Sequence, residues 1–252
     1  MSRLGWADLG LATADDMVQN AGMIASLSPS TPVIADADTG YAGPVNVART
    51  VARYAHAGVA GLHIEDQAAE KRCGHLAGKV LVEQHVWLAK LKAAVQTRKE
   101  IGSEIVIIAR TDARQSYGFD EAIERLQKAV EIGVDAVFFE APQSKEEVQR
   151  VAETFRKTNT PCLLNMVPGG ATPWFKPQEA QELGFSLMLY PGLCIGPVIH
   201  AVREEMAKLR DTGNVSEDAD GKVKEGFNLT GLQELIEIDQ HAGGAAYGTV
   251  GS

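Results

Sequence analysis

Three acids at short spacing open the chemical reading. Asp36 and Asp38 lie in the run Ile34-Ala-Asp-Ala-Asp-Thr-Gly-Tyr41, and Glu65 follows His63-Ile64. Residues two apart on a strand point the same way, so both aspartates are expected to project to one side and flank a hard cation such as Mg2+. Glu65 adds a third carboxylate at the same level. Acids crowded together repel one another unless a cation lies between them. Taken alone, an Asp-x-Asp pair is also a common turn or helix-cap signal.

A second cluster is Lys71-Arg-Cys-Gly-His75. A cysteine flanked by Lys71, Arg72 and His75 has electropositive surroundings of the kind that lower a thiol pKa. Cys73 therefore reads as a nucleophile or proton donor, whereas Cys162 and Cys194 sit in apolar runs and read as small buried hydrophobes. Arg110 directly follows the apolar run 105–109 and offers a planar fork to a substrate carboxylate. A salt bridge to Glu65 or Asp112 is the competing reading. His63 and His85 read as structural or surface residues.

These side chains need elements to hold them. Apolar runs at 32–35, 60–64, 105–109, 135–139, 162–164 and 186–189 have the continuous apolarity of strands buried on both faces of a parallel sheet. Between them lie helical stretches. Thr13 with Asp16, and Ser144 with Glu147, have capping-box spacing. Val47, Val51, Tyr54 and Ala55 share one helical face, as do Ile123, Leu126, Val130 and Ala122. Leu88, Leu91 and Val95 form the stripe of a helix over 84–99. Gly58, Gly133 and Gly184 are placed as left-handed C-caps. A helix from 196 to about 210, a polar loop over 211–224, a last helix near 229–240 and a glycine-rich tail complete the chain.

Such β-α units build an open doubly wound sheet or a barrel. No nucleotide-binding glycine loop follows any strand, and nearly every strand ends on polar residues: Asp36 and Asp38, Glu65, Arg110 and Asp112, Glu140, Asn165, Tyr190. Convergent polar strand ends favour a barrel. The length of 252 residues fits one domain, 1–252. A net charge of −9 argues against nucleic acid, and no apolar stretch is long enough for a membrane span. Three unpaired cysteines and the lack of a secretory segment point to the cytoplasm.

The motifs quoted above, with His63-Ile-Glu-Asp-Gln67, Ile108-Ala-Arg-Thr-Asp112 and Asn165-Met-Val-x-Gly-Gly170, resemble the isocitrate lyase/phosphoenolpyruvate mutase superfamily, and the Lys-Arg-Cys-Gly-His motif its carbon–carbon lyase branch. The resemblance implies an α/β fold of the (β/α)8 TIM-barrel type, here without the first two strands, which in the family precede the equivalent of Asp8. It implies a 225–252 C-terminal helix and tail exchanged between subunits of a homodimer or homotetramer. Asp36, Asp38, Glu65 and Asp8 would serve Mg2+, with Mn2+ a substitute. Cys73, Arg110 and Glu140 would be catalytic. Asp36, Tyr41, Lys71, Gly74, His75, Arg110, Asn165 and Gly170 would bind a small carboxylate substrate. Expected activities are cleavage of a 2-hydroxy di- or tricarboxylate through an enolate, oxaloacetate hydrolysis, or a binding role in an impaired relative. Pro168 stands where the family usually has Glu.

Overall fold

The computed structural model describes residues 3–216 and 223–247. The chain divides into two compact units, Met1–Leu193 and Cys194–Ser252.

The first unit carries six strands: β1 Ile34–Asp36, β2 Gly61–Glu65, β3 Val106–Thr111, β4 Ala136–Phe139, β5 Cys162–Asn165 and β6 Leu187–Leu189. All pair in parallel and in sequence order, β1-β2-β3-β4-β5-β6. The six apolar runs are these strands, with ends shifted by one or two residues. Strict sequence order is that of a barrel wall; a doubly wound sheet would reverse its order at a switch point. Among the described residues, β1 and β6 each pair on one side only.

Register sets the site. Asp36 lies beside His63, and Glu65 beside Arg110. Alternation then sorts the sheet faces. Leu62, Ile64, Ile107, Ala109, Val137, Phe139 and Leu164 join the large core under the helices. Ile108, Ala136, Phe138 and Leu163 form a smaller apolar cluster apart from it. The Arg110 guanidinium lies 5.0 Å over the Phe138 ring, and His63 meets that ring edge-on with centroids 5.5 Å apart. The small cluster is thus capped by polar side chains at the strands' C-terminal ends.

The helices of this unit are α1 Ala14–Leu27, α2 Pro44–His56, α3 Gln84–Glu100, α4 Ala113–Tyr117, α5 Phe119–Ile132, α6 Lys145–Arg156 and α7 Pro177–Leu183. Thr13 and Asp16 close the anticipated capping box, and Ser144 caps α6 through the Glu147 N–H. Gly133 and Gly184 end α5 and α7 in the left-handed conformation, and Gly58, directly after the α2 C-cap Ala57, likewise takes φ +81°. On α2, Val47, Val51 and Tyr54 are buried as expected. The α3 stripe is rotated: Trp87, Lys90, Leu91 and Ala94 are buried, whereas Leu88 and Val95 are half-buried. The same holds on α5, where Ala122, Arg125, Leu126 and Ala129 point inward and Ile123 and Val130 flank them.

The second unit contains α8 Ile195–Thr212, α9 Val223–Leu229 and α10 Leu232–His241. The helix expected near 229–240 is α10, which starts three residues later after Gly231 at φ +84°, and α9 is an additional short helix between it and the expected loop. Parts of the expected loop (217–222) and tail (248–252) lie outside the described residues. Among the described residues, no helix is long and apolar enough to cross a membrane.

Candidate active site

Strand β1 stops at Asp36, and a turn rather than a strand places Asp38. The Asp38 N–H donates to Asp36 Oδ1 at 2.7 Å, and Asp38 takes φ +45°. The expected strand alternation of the two carboxylates is therefore replaced by an Asx turn, which tolerates the left-handed conformation. Gly40 lets α2 close on this turn: a Cβ there would lie 2.4 Å from Val47 Cγ2. Asp38 Oδ1 then receives Lys71 Nζ at 2.6 Å, and the same amine lies 2.8 Å from Asp8 Oδ1. Tyr54 donates its hydroxyl to the Asp36 carbonyl at 2.8 Å, and the Tyr41 hydroxyl lies 3.4 Å from that of Tyr54. Burial, then the neighbouring hydroxyl and aspartates, push Tyr41 above the ordinary phenol range.

Arg110 is the hub. Its Nε and Nη2 donate to Asp112 at 3.0 and 3.3 Å. Its guanidinium lies 3.2 Å from Glu65 Oε2, 3.2 Å from Glu140 Oε2 and 3.9 Å from Asp36 Oδ2. Both salt-bridge partners weighed for it in the sequence are engaged. Glu65 is fully buried, yet neither of its oxygens receives a hydrogen bond from the protein. Burial raises the Glu65 carboxyl well above its usual range; Asp112 and Asp36 add to this, and Arg110 opposes it. Glu140 behaves oppositely. Burial pushes it up, but Arg110, His75 and Asn165 outweigh that and bring it to about 2. Asn165 Nδ2 donates to both Glu140 oxygens at 3.2 and 3.3 Å, leaving its own Oδ1 buried and without a partner.

The Cys73 motif lies on a loop over residues 66–82. Its two limbs are joined by a Gln67–Leu81 bridge, the Ala68 N–H to Val80 carbonyl bond at 2.8 Å and the Val82 N–H to Asp66 carbonyl bond at 2.9 Å. The Gln67 side chain brackets the Arg72 backbone at both N–H and carbonyl. The loop tip is pressed onto the hub. A Cβ at Gly74 would lie 2.6 Å from Glu140 Cγ and 2.7 Å from Arg110 Nη2. His75 Nε2 reaches Glu140 Oε1 at 3.4 Å, while its Nδ1 accepts the Ala171 N–H at 3.4 Å. Gly170 is equally close, since a Cβ there would lie 2.7 Å from the His75 ring. Cys73 is half-buried between the anchored Lys71 and Gly74, its N–H bonded to the Asp8 carbonyl at 3.3 Å.

Of the two readings of His63, structural or surface, the structure supports the first and places it beside a site acid. It is buried, with Nδ1 3.4 Å from Asp36 Oδ1. Parallel register is the signal that pairs them, and it is invisible until the strands are aligned. His85 is exposed as expected. Cys162 is buried, but Cys194, expected to be buried, is exposed. Pro168 is exposed, beyond β5.

The donor chemistry fits a hard divalent cation. Asp8, Asp36, Asp38, Glu65, Asp112 and Glu140 are offset by three cationic side chains, Lys71, Lys79 and Arg110. Glu65 in particular has two oxygens without a donor. Among the described residues, however, no three His, Cys, Asp or Glu side chains form a ready-made metal cage. The expected crowding of acids is loosened by Arg110 and Lys71 lying among them. This suits Mg2+, which usually takes one or two carboxylates and keeps several waters.

Comparison with known proteins agrees with this geometry. The sequence model of the phosphoenolpyruvate phosphomutase family matches residues 2–210. The chain is 39% identical over 242 residues to 2,3-dimethylmalate lyase of Eubacterium barkeri, covering 95% of this chain and 82% of that one. A solved 2,3-dimethylmalate lyase superposes with TM-score 0.92 at 47% identity, over 98% of this chain and 81% of that chain. Oxaloacetate acetylhydrolase, solved with the inhibitor 3,3-difluorooxalacetate, gives 0.91 at 44% identity, over 98% and 82%. Phosphonopyruvate hydrolase, solved with oxalate and Mg2+, gives 0.78 at 27% identity, over 91% and 79%. With the fold, the strand-end acids and the cysteine loop in the arrangement described, the chain belongs to the phosphoenolpyruvate mutase/isocitrate lyase superfamily.

Proposed function

We propose that the chain is a Mg2+-dependent carbon–carbon lyase that cleaves a small 2-hydroxy di- or tricarboxylate of the 2-methylisocitrate or 2,3-dimethylmalate type through an enolate. The observation that carries this reading is the apposition of the Cys73 loop to a buried arginine ringed by acids at the strand ends. Similarity to 2,3-dimethylmalate lyase supports the reaction class.

Asp36, Asp38 and Glu65 would hold the cation, directly or through water, with Asp8 behind them. A bound Mg2+ ion would lower the pKa of the substrate hydroxyl and favour the oxo-acid product. Arg110, itself buried, offers positive charge and hydrogen-bond donors to a substrate carboxylate. Asn165, through its unpartnered Oδ1, and the Gly170 backbone would receive the other end of the substrate. Transfer of the hydroxyl proton to a neighbouring water or carboxylate lets the new carbonyl form as the adjacent C–C bond breaks, and the second fragment departs with that bond's electron pair as a carboxylate-stabilised enolate. Cys73 delivers its thiol proton to that carbon. Glu140, ionised and pinned, keeps Arg110, His75 and Asn165 in register.

Oxaloacetate hydrolysis is the second reading, favoured by the 44% identity to oxaloacetate acetylhydrolase. A homodimer or homotetramer belongs with the proposal, supported by the exposed apolar residues Val198, Val202, Met206 and Leu209 of α8. The test is a panel of 2-hydroxy di- and tricarboxylates and oxaloacetate, assayed with and without Mg2+ for released pyruvate, glyoxylate or oxalate. Cys73→Ser is expected to lower turnover about 10²–10⁴-fold, the usual contribution of a positioned proton donor. Full activity in Cys73→Ser would remove the proton-donor role, and cleavage of oxaloacetate alone would favour the second reading.

A further inference from the structure

Lys79 is a buried amine with no role in the chemistry above. Its side chain is 1% exposed, on the returning limb of the 66–82 loop. An ammonium so far from water persists only where its charge and protons are met. Two groups meet them. Lys79 Nζ donates to the Gly74 carbonyl at the loop tip, and it lies 3.5 Å from Asp112 Oδ1 just beyond β3. Asp112 is itself fully buried and grips Arg110 through two hydrogen bonds. One side chain therefore ties the peptide next to Cys73 to the acid that orients the arginine.

The roots of the loop are fixed separately. Arg125, buried on α5, donates to the Asp66 carboxylate at 3.2 Å and to the Val82 carbonyl at 3.1 Å, one at each root. Asp66 also accepts from the Thr111 hydroxyl and the Asp112 N–H. Opening of the tip over fixed roots must break the Lys79 link, because its two partners lie on the parts that separate.

We propose that Lys79 is a positioning residue that holds the Cys73 loop shut against Arg110 and couples that closure to the arginine's orientation through Asp112. What closure achieves rests on the lyase reading; the closure itself does not. The two are separable by alkylating the folded protein with iodoacetamide and following each cysteine peptide by mass spectrometry. Exposed Cys194 reports reagent activity, and buried Cys162 reports global unfolding. Lys79→Met removes both contacts; Lys79→Gln can keep the bond to Gly74 but not the charge. Cys73 labelling is expected to rise in the order wild type, Lys79→Gln, Lys79→Met. The rise should be about tenfold for the last, the equivalent of 1.4 kcal/mol in the opening equilibrium. Cys162 should stay unlabelled and kcat should fall in the same order. Should Lys79→Met fail to fold, Lys79→Gln against wild type decides the matter. Labelling of Cys73 at the wild-type rate in either folded variant overturns the proposal. An inactive wild type whose Cys73 labelling still follows the order would sink the lyase reading and leave the loop closure by Lys79 standing.

Discussion

Replacing Gly74 by alanine tests how closely the loop must approach the hub. The added methyl would lie 2.6 Å from Glu140 Cγ, 2.7 Å from Glu140 Oε2 and 2.7 Å from Arg110 Nη2. Non-bonded carbons settle at about 3.5–4.0 Å, so roughly 1 Å of movement is required. Glu140 is poorly placed to move. It is 2% exposed and is held by Arg110, His75, Asn165 and the Ala141 N–H. Arg110 is fixed in turn by Asp112. The loop, whose residues 76–78 are exposed, is the part that retreats, carrying Cys73 with it. A misplacement of about 1 Å can cost about 10²-fold in rate, which is the fall expected in kcat/KM. The fold should lose about 1–3 kcal/mol if the loop stays in place and is overpacked, and less if it swings away. Steady-state release of the oxo acid, measured beside a urea melt, separates the two effects. A Gly74→Ala protein that is folded and within about twofold of wild-type kcat/KM would show that Cys73 acts without this close approach, and the steric argument would fail.

Two further outcomes follow from charge. Millimolar Mg2+ should raise the melting temperature, by the equivalent of about 2.7 kcal/mol at a hundredfold excess over its dissociation constant, and Asp36→Asn should abolish the rise; an equal shift in both proteins contradicts the assignment of Asp36. Away from the site, Arg114 grips Glu147 through hydrogen bonds of 2.7 to 3.0 Å. Burial raises the Glu147 carboxyl, but the Arg114 bonds and the Gln143 N–H more than offset it, so the folded-state value lies below 4.5. A depressed folded-state value means stability that is full above pH 4.5 and lost as pH falls through the folded-state value. Arg114→Met should therefore cost about 1 kcal/mol at pH 7 in urea unfolding, discounted for partial exposure, and the cost should shrink as the pH falls below 4.5. A cost that does not change with pH would assign the effect to packing.

The legible parts of this molecule share a physical cause. Strands buried on both faces must be apolar throughout, so β2, β4 and β5 announce themselves, and the polar residue that ends each run marks the site. Glu65, Arg110, Glu140 and Asn165 were found that way. Where position is decided by something without a period, the sequence is silent. Asp38 owes its place to a turn at φ +45°, and His63 to the register of a neighbouring strand. On α3, Trp87 and Lys90 point inward because each has a buried acceptor for its polar tip. Trp87 Nε1 donates to the Ile64 carbonyl at 3.3 Å and Lys90 Nζ to the Thr39 carbonyl at 3.0 Å, which a count of apolar residues ignores.

The same limit shapes the reading of the metal site. Counting acids along the chain predicts a crowd that needs a cation, and the acids are indeed in excess. The folded chain relieves part of that repulsion itself. Lys71 and Lys79, brought in by a loop with no helical or strand periodicity, neutralise Asp38 with Asp8 and Asp112 respectively. Glu65 is left as the acid with the least compensation, since its one close cation, Arg110, is shared with Asp36, Asp112 and Glu140 and donates it no hydrogen bond. The unmet negative charge is therefore concentrated at Glu65, not spread over the set. It is there, next to the arginine and beneath the cysteine loop, that an added divalent cation would gain most.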